Sequence, residues 1–273
     1  MSRDRWERNL KLLCRGLEDY AQANNIAIPD PPPQEAALLS HSLYLAHSAA
    51  SDKFSGICGA GRLLSATQLA ARTAEALKPD SVEVLLGTAD SVFFYVAPFR
   101  YPNTGCGLLF ARSLEEFHKD DGVATPFDSG GLVGVFSRLD PAESPREFLS
   151  RHELPVPDHR EYLRLSLSIL FEKPVDYVMG ADPRWPGPIG LTAGDRRRWT
   201  HEVRTPGPVP IRSGHLQAVF APRSRVAADP EIDRLFEWCK REGVDRVSFN
   251  TSRADDFEAL RRECVDYIRA RLQ

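Results

Sequence analysis

The chain has 273 residues, 42% of them hydrophobic and 27% charged, with a formal net charge of −3. It is long enough to bury a sizeable core and ordinary in composition for a globular protein, and its charge excludes a coat of positive residues, so any nucleic-acid contact has to come from a local patch. No apolar run nears the roughly 20 residues that span a bilayer, and the first residues lack the apolar segment of a signal peptide. The cysteines, Cys14, Cys58, Cys106, Cys239 and Cys264, are odd in number and widely spaced, without metal-ligand spacing. The expectation is a cytoplasmic protein with no membrane association and no metal, its cysteines serving as small core residues.

In chain order, Trp6, Leu10, Leu13, Leu17 and Ala21 fall at helical spacing among charged neighbours and predict an amphipathic first helix. Pro29-Asp30-Pro31-Pro32-Pro33 cannot continue it and reads as a stiff connector. Leu45-Ala46-His47-Ser48 is a short apolar segment ending in a polar pair, followed by Phe54, Ile57 and Cys58 at helical spacing and by Gly59 and Gly61 as a stop. Thr67 to Leu77 reads as a helix ended by Lys78-Pro79-Asp80. Ser91 to Ala97 is the strongest strand signal, rich in β-branched and aromatic residues; Pro98 to Gly105 breaks it, and Leu108-Leu109-Phe110 resumes strand character. Tyr95 therefore lies near the end of a strand and Arg100 in the loop beyond it.

Asp158 with Glu161 reads as a capping pair for a helix burying Leu163, Leu167 and Leu170. Tyr177 to Gly194, rich in glycine and proline, reads as a loop that feeds into Arg196-Arg197-Arg198-Trp199. Glu202-Val203-Arg204 and Leu216 to Pro222 read as strands. Beyond them Asp229 caps a helix with Pro230 at its first position, Gly243 ends it, Arg246 to Asn250 is a strand and Asp255 to Leu272 a last helix.

Two groups of residues suggest chemistry. Asp128-Ser129-Gly130-Gly131-Leu132 resembles the nucleophile loop of chymotrypsin-like serine proteases, with His47 as the base; but Phe127 stands where that family has an oxyanion-hole glycine, and more than half of the chain follows Ser129. Without that role the same residues are a turn. The second group is His47, Tyr95 and Glu202. Taken singly, His47 reads as a structural histidine and Glu202 as an exposed strand residue beside a solvated charge run.

Taken together, Leu45-Ala46-His47-Ser48 with Gly61-Arg62-Leu63-Leu64, the aromatic strand Phe93-Phe94-Tyr95-Val96, and Glu202-Val203-Arg204 with Pro208-Val209-Pro210-Ile211 resemble ADP-ribosyltransferases, in particular nucleic-acid-targeting toxins of the DarT type. The order histidine, tyrosine, glutamate is the order that fold uses. The resemblance implies an α+β fold, an ADP-ribosyltransferase-like split β-sandwich with flanking helices, divided into an N-terminal helix and connector (1–33), a catalytic domain (34–225) and a helix–strand–helix extension (226–273).

It further implies an NAD-dependent mono-ADP-ribosyltransferase of toxin or defence type, with NAD as substrate, a nucleic acid as acceptor, a protein acceptor as the alternative, and an antitoxin or immunity partner. His47 would bond the adenosine-side ribose, Ser48 approach the nicotinamide amide, Tyr95 stack on the nicotinamide ring, Arg100 approximate the phosphate ligand, and Glu202 serve as the catalytic carboxylate. Arg196, Arg197, Arg198 and Trp199 would face the acceptor, the guanidiniums on phosphates and the indole on an unpaired base. Thr200 stands where arginine-modifying relatives carry a second glutamate, which argues against arginine as the target. The rival from another class is a non-catalytic module presenting these loops to a nucleic acid or peptide; in it the three side chains would not converge.

Overall fold

The computed structural model describes residues 3–30, 32–74, 76–78, 81–100, 104–114, 122–136, 143–183, 185–191, 194–251 and 256–272. Pro31 of the connector, Pro79-Asp80, Tyr101-Pro102-Asn103 and Asp255 lie outside them. The described elements run α1 (Arg3–Ala23), α2 (Gln34–Ser42), β1 (Leu45–Ala49), α3 (Ser51–Ala60), β2 (Arg62–Leu63), α4 (Ala66–Thr73), α5 (Val82–Leu85), β3 (Ser91–Val96), β4 (Cys106–Phe110) and β5 (Val123–Thr125). A 3-10 turn (Ser129–Gly134) follows, then α6 (Pro145–Ser150), β6 (Leu154–Pro155), α7 (Val156–Leu170), α8 (Asp176–Met179) and a second 3-10 turn (Arg196–Arg198). The chain closes with β7 (Glu202–Pro206), β8 (Val209–Pro210), β9 (Leu216–Pro222), α9 (Arg223–Ala228), α10 (Pro230–Glu242), β10 (Asp245–Phe249) and α11 (Asp256–Arg269).

Eight strands form one sheet in the order β10-β9-β4-β1-β3-β7-β5-β6, while β2 and β8 pair in a separate ribbon. Every described pairing is antiparallel except that of β10 with β9. The result is a mixed α/β architecture: a mostly antiparallel sheet with helices against it. Burial alternates along β3, with Val92, Phe94 and Val96 sunk in the main core and Ser91, Phe93 and Tyr95 on the opposite, partly open face. On the neighbouring strand β7 burial does not alternate, but its register sets Glu202 opposite Tyr95 and Arg204 opposite Phe93, on that same face.

Local signals explain most ends. Helix α3 stops at Gly61, whose φ of 66° is a left-handed cap that returns its N–H to the carbonyls of Ile57 and Cys58. Ser65 and Gln68 form a reciprocal capping box for α4. The Asp229 carboxylate accepts from the N–H groups of Glu231 and Ile232 to open α10. One cap expectation is corrected: α7 begins at Val156 after Pro155, so Asp158 sits in its first turn and Glu161 pairs with Arg164 instead of capping.

Helix α1 buries Leu13, Leu17 and Ala21 in a satellite cluster with Leu154, Tyr162 and Ile169. Its polar residues reach further, because Arg5 and Asn9 both donate to the Ser150 carbonyl and Asn9 also to the Glu153 carbonyl at 2.8 Å. At the other end of the chain, β10 adds an edge strand beside β9. Among the described residues no helix is long and apolar enough to cross a membrane.

Candidate active site

Three central strands set the site. In the register of β3 with β7, Tyr95 stands directly opposite Glu202 and Phe93 opposite Arg204, and β5 brings Thr125 opposite Glu202 from the other side. Side chains of directly opposed residues share a face with Cβ atoms about 4.5–5.5 Å apart, so Tyr95, Glu202 and Thr125 make one row across three strands. The carboxylate is 1% exposed, which overturns the expectation of a solvated strand residue. Neighbouring His201 points to the other face, where its Nδ1 lies 2.9 Å from His159 Nε2 within the core.

The 3-10 turn after β5 covers the carboxylate. Ser129 donates to Glu202 Oε2 through its N–H (3.3 Å) and its hydroxyl (3.1 Å). Asp128, also buried, accepts from the Gly130 N–H at 2.8 Å and from the Tyr95 hydroxyl. On the opposite side Arg204 Nε lies 3.4 Å from Glu202 Oε1, close enough for an ion pair but not aligned as a hydrogen bond. Arg204 Nη2 holds Glu153 Oε1 at 2.8 Å, and Glu153 Oε2 holds Arg5 at 3.2 Å.

Burial first, and the Asp128 charge second, push the Glu202 carboxyl up to about 8 against the pull of Arg204 and Ser129. Burial likewise raises Asp128 to about 6, opposed by the Gly130 N–H, Arg197 and Tyr95. Two buried carboxyls this close titrate as a pair whose second proton is lost reluctantly. Such a group accepts a proton near neutral pH and becomes a strong charge once a cation enters beside it.

His47 and Ser48 lie where β1 leaves β3. The two strands pair only through Leu45 and Ala46, while β1 stays on β4 through Ala49. Past that point the His47 ring reaches the Phe93 carbonyl, with Nδ1 3.0 Å from the oxygen. Burial lowers the imidazole below its usual range. It is therefore neutral, and because a carbonyl only accepts, Nδ1 carries the proton and Nε2 is left as an acceptor.

His47 and Ser48 line a cavity of about 830 Å³ with Lys53, Ile57, Arg62, Leu63 and Arg72 among its walls. The size fits a small-molecule site. The Ser48 hydroxyl is buried there without a partner, and the lining carries three cations and no carboxylate among the described residues. Tyr95 and Glu202 do not line this cavity; they adjoin it through β1 and β3.

The other expected residues are placed differently. Arg100 is buried, donates from Nη2 to the Tyr177 carbonyl at 2.8 Å and lies 4.5 Å over that ring, away from the cavity lining. Trp199 is 1% exposed in the main core, so its expected base-stacking role is corrected to a packing one. Arg198 is also turned inward, bonded to Asp182 at 2.7 Å and to the Pro183 carbonyl at 2.8 Å, which corrects its expected phosphate role. Arg198 packs against Gly187: with φ at 77°, a Cβ there would fall 2.6 Å from the Arg198 carbonyl oxygen. Arg197 is held by Asp195 and reaches the Gly130 carbonyl at 3.4 Å, while Arg196 is exposed.

Sequence reasoning missed Arg204, Glu153 and Arg5 and gave Ser129 the wrong partner. Arg204 carried a usable signal, since it stands two residues from Glu202 on a strand and must share its face. The Ser129 hydroxyl lies on Glu202, and the proposed base His47 is engaged with Phe93, which corrects the serine-hydrolase pairing. Among the described residues no group of three or more His, Cys, Asp or Glu is placed to hold a metal ion.

No protein-family model matches the chain, and no curated protein sequence does. Among solved structures the chain is similar to Thermus sp. 2.9 DarT in complex with NAD+, at 14% identity and a TM-score of 0.41, over 80% of this chain and 97% of that one. It is similar to the same protein in complex with carba-NAD+ at 15% identity and a TM-score of 0.40, over 80% and 97% of the two chains. With ADP-ribosylated ssDNA bound, that protein gives 14% identity and a TM-score of 0.40, over 82% and 97%.

Proposed function

We propose that the chain is an NAD-dependent mono-ADP-ribosyltransferase acting on a nucleic acid. The observation that carries this reading is the direct pairing of Tyr95 with a buried, proton-retaining Glu202, one strand away from a cationic cavity that holds His47 and Ser48. An aromatic face beside a desolvated carboxylate suits the cleavage of a glycosidic bond to a cationic ring, because the ring can be stacked while positive charge developing on the ribose is opposed. The mostly antiparallel sheet with helices against it and the separate β2–β8 ribbon are compatible with that fold.

NAD supplies the ADP-ribosyl group and nicotinamide as a neutral leaving group. His47 Nε2 accepts from a ribose hydroxyl of the adenosine half, with its tautomer set by Phe93. The Ser48 hydroxyl, otherwise unsatisfied, bonds the amide, and Lys53, Arg62 and Arg72 offer charge to the phosphates. Tyr95 stacks on the nicotinamide ring. That cation favours ionisation of Glu202, which then binds the ribose hydroxyl, stabilises the charge on the ribose and accepts the proton of the attacking acceptor.

Acceptor choice rests on Arg196, which precedes the Glu202 strand, is exposed and offers charge to phosphates, whereas the Arg197 guanidinium is taken up by Asp195 and the Gly130 carbonyl. Thr200 in place of a second glutamate is against an arginine target. The chain would act in the cytoplasm and, as a damaging enzyme, be held by a neutralising partner. Incubation with NAD labelled in the adenylate half, together with single-stranded DNA, duplex DNA, RNA and cell lysate, tests the proposal. Label should pass to a nucleic acid; no turnover of NAD under any of these conditions would refute it, and label on protein alone would redirect it.

A further inference from the structure

Asp128 and Ser129 are consecutive, buried residues in one turn, and each bonds a different group of the proposed chemistry. Ser129 gives two donors to Glu202 Oε2, and Asp128 accepts the Tyr95 hydroxyl. The turn is itself fixed: the Asp128 N–H donates to the Arg197 carbonyl at 2.9 Å, Arg197 returns a bond to the Gly130 carbonyl, and a Cβ on Gly131 would meet the Leu191 and Arg197 side chains at 2.9 and 3.2 Å. No other described turn bonds both Tyr95 and Glu202.

We propose that the Asp128-Ser129 turn is the positioning element of the site, Ser129 orienting the Glu202 carboxylate through Oε2 and Asp128 orienting the Tyr95 ring through its hydroxyl. This rests on the reading of Glu202 and Tyr95 given above. With Oε2 occupied twice, Oε1 is the oxygen left for a ribose hydroxyl, since its contact to Arg204 Nε is not a hydrogen bond. The division of labour is specific. Ser129 favours the charged carboxylate by donating to it, whereas Asp128, while fixing the tyrosine, disfavours that charge by adding its own.

Among the described residues Glu202 is faced by Tyr95 from β3, Thr125 from β5, Asp128 and Ser129 from the turn, and Arg204 from β7 with Glu153 and Arg5 behind it, while Arg197 with Asp195 lies behind Asp128. Ser129→Ala removes a hydroxyl donor and keeps the N–H; Asp128→Asn removes a charge and keeps an acceptor for Tyr95 and Gly130.

The two replacements should displace the ionisation of Glu202 in opposite directions. Ser129→Ala should move the acid limb of kcat for NAD cleavage up by about one pH unit, the worth of one hydrogen bond to a charged group, and Asp128→Asn should move it down by about as much. Ser129→Ala should also lower kcat by about tenfold with KM for NAD changed less than about twofold. The same signs should appear in a 13C NMR titration of the Glu202 carboxyl in the free protein, which needs no turnover. Shifts of one sign for both variants, or none for Ser129→Ala, would overturn the proposal. If the intact protein cleaves no NAD, the functional reading falls, and the NMR signs alone decide the positioning role. Should Asp128→Asn not fold, the sign of the Ser129→Ala shift decides it.

Discussion

Replacing Glu202 with glutamine should cost activity and add stability. The side chain is 1% exposed and its carboxyl is pushed up to about 8 from an ordinary 4.5. A carboxyl that is harder to ionise in the folded protein than in the unfolded one leaves stability intact below pH 4.5, erodes it as pH rises toward 8, and has no further effect above. At pH 7 the loss is about 3 kcal/mol, taking about 1.4 kcal/mol per pH unit from 4.5 upward. Glutamine never ionises, so it recovers most of this. Its amide oxygen can take the Ser129 bonds, but its NH2 must then face Arg204 Nε, donor against donor, which trims the gain to roughly 2 kcal/mol.

The same change removes the charge that opposes the ribose cation and should lower NAD turnover by about 10²-fold or more. Urea denaturation at pH 4.5, 7 and 8.5 and NAD cleavage measured side by side test both halves. The variant should be about 1 kcal/mol less stable than the wild type near pH 4.5, where only the clash with Arg204 counts, overtake it above about pH 5.5 and exceed it increasingly through pH 8. A stability difference that is constant across that range would refute the buried-charge argument, and turnover within tenfold of the wild type would refute the catalytic one.

His47→Ala should weaken NAD binding by about 3- to 10-fold, the worth of one neutral hydrogen bond, and Tyr95→Ala by a similar factor for a lost stacking face; titration calorimetry on folded variants checks both. Trp199→Ala should destabilise the fold by about 3–5 kcal/mol, as for any large core side chain, and lower activity on every acceptor equally, which thermal denaturation beside single- and double-stranded substrates will show. Arg196→Ala should leave NAD cleavage unchanged, weaken nucleic-acid binding and reduce the slope of log affinity against log salt by about one. An unchanged slope would remove Arg196 from the acceptor surface.

Helices α1 and α10 and strand β3 were legible because their signals are local: apolar residues at helical spacing, Asp229 and Gly243 at the two ends of one helix, and a run of aromatic and β-branched residues. The likeness of Tyr95 and Glu202 to a functional pair was legible too, but their adjacency was not, since it depends on the register of strands distant in sequence. Asp128-Ser129 announced itself as a motif while hiding its partner; a turn signal says nothing about what the turn covers. The arginine run misled for a related reason. Three cations and an indole in a row look like a surface, yet Arg198, packed against Gly187, and Trp199 are buried and only Arg196 of the four is exposed.

The tie from Arg5 through Glu153 to Arg204 has a consequence in time. Its three residues are made near the start, past the middle and in the last third of synthesis, and each link closes a long loop. Helix α1 forms early by its own periodicity, but Ser150 and Glu153, which its polar face holds, emerge only much later. Arg204 cannot be steadied beneath Glu202 until both are in place, and β9 and β10 complete the sheet later still. Contacts so distant in sequence form slowly and together. A nascent or shortened chain that lacks any of these segments has the Glu202 carboxylate without the full set of charges that surrounds it in the folded protein.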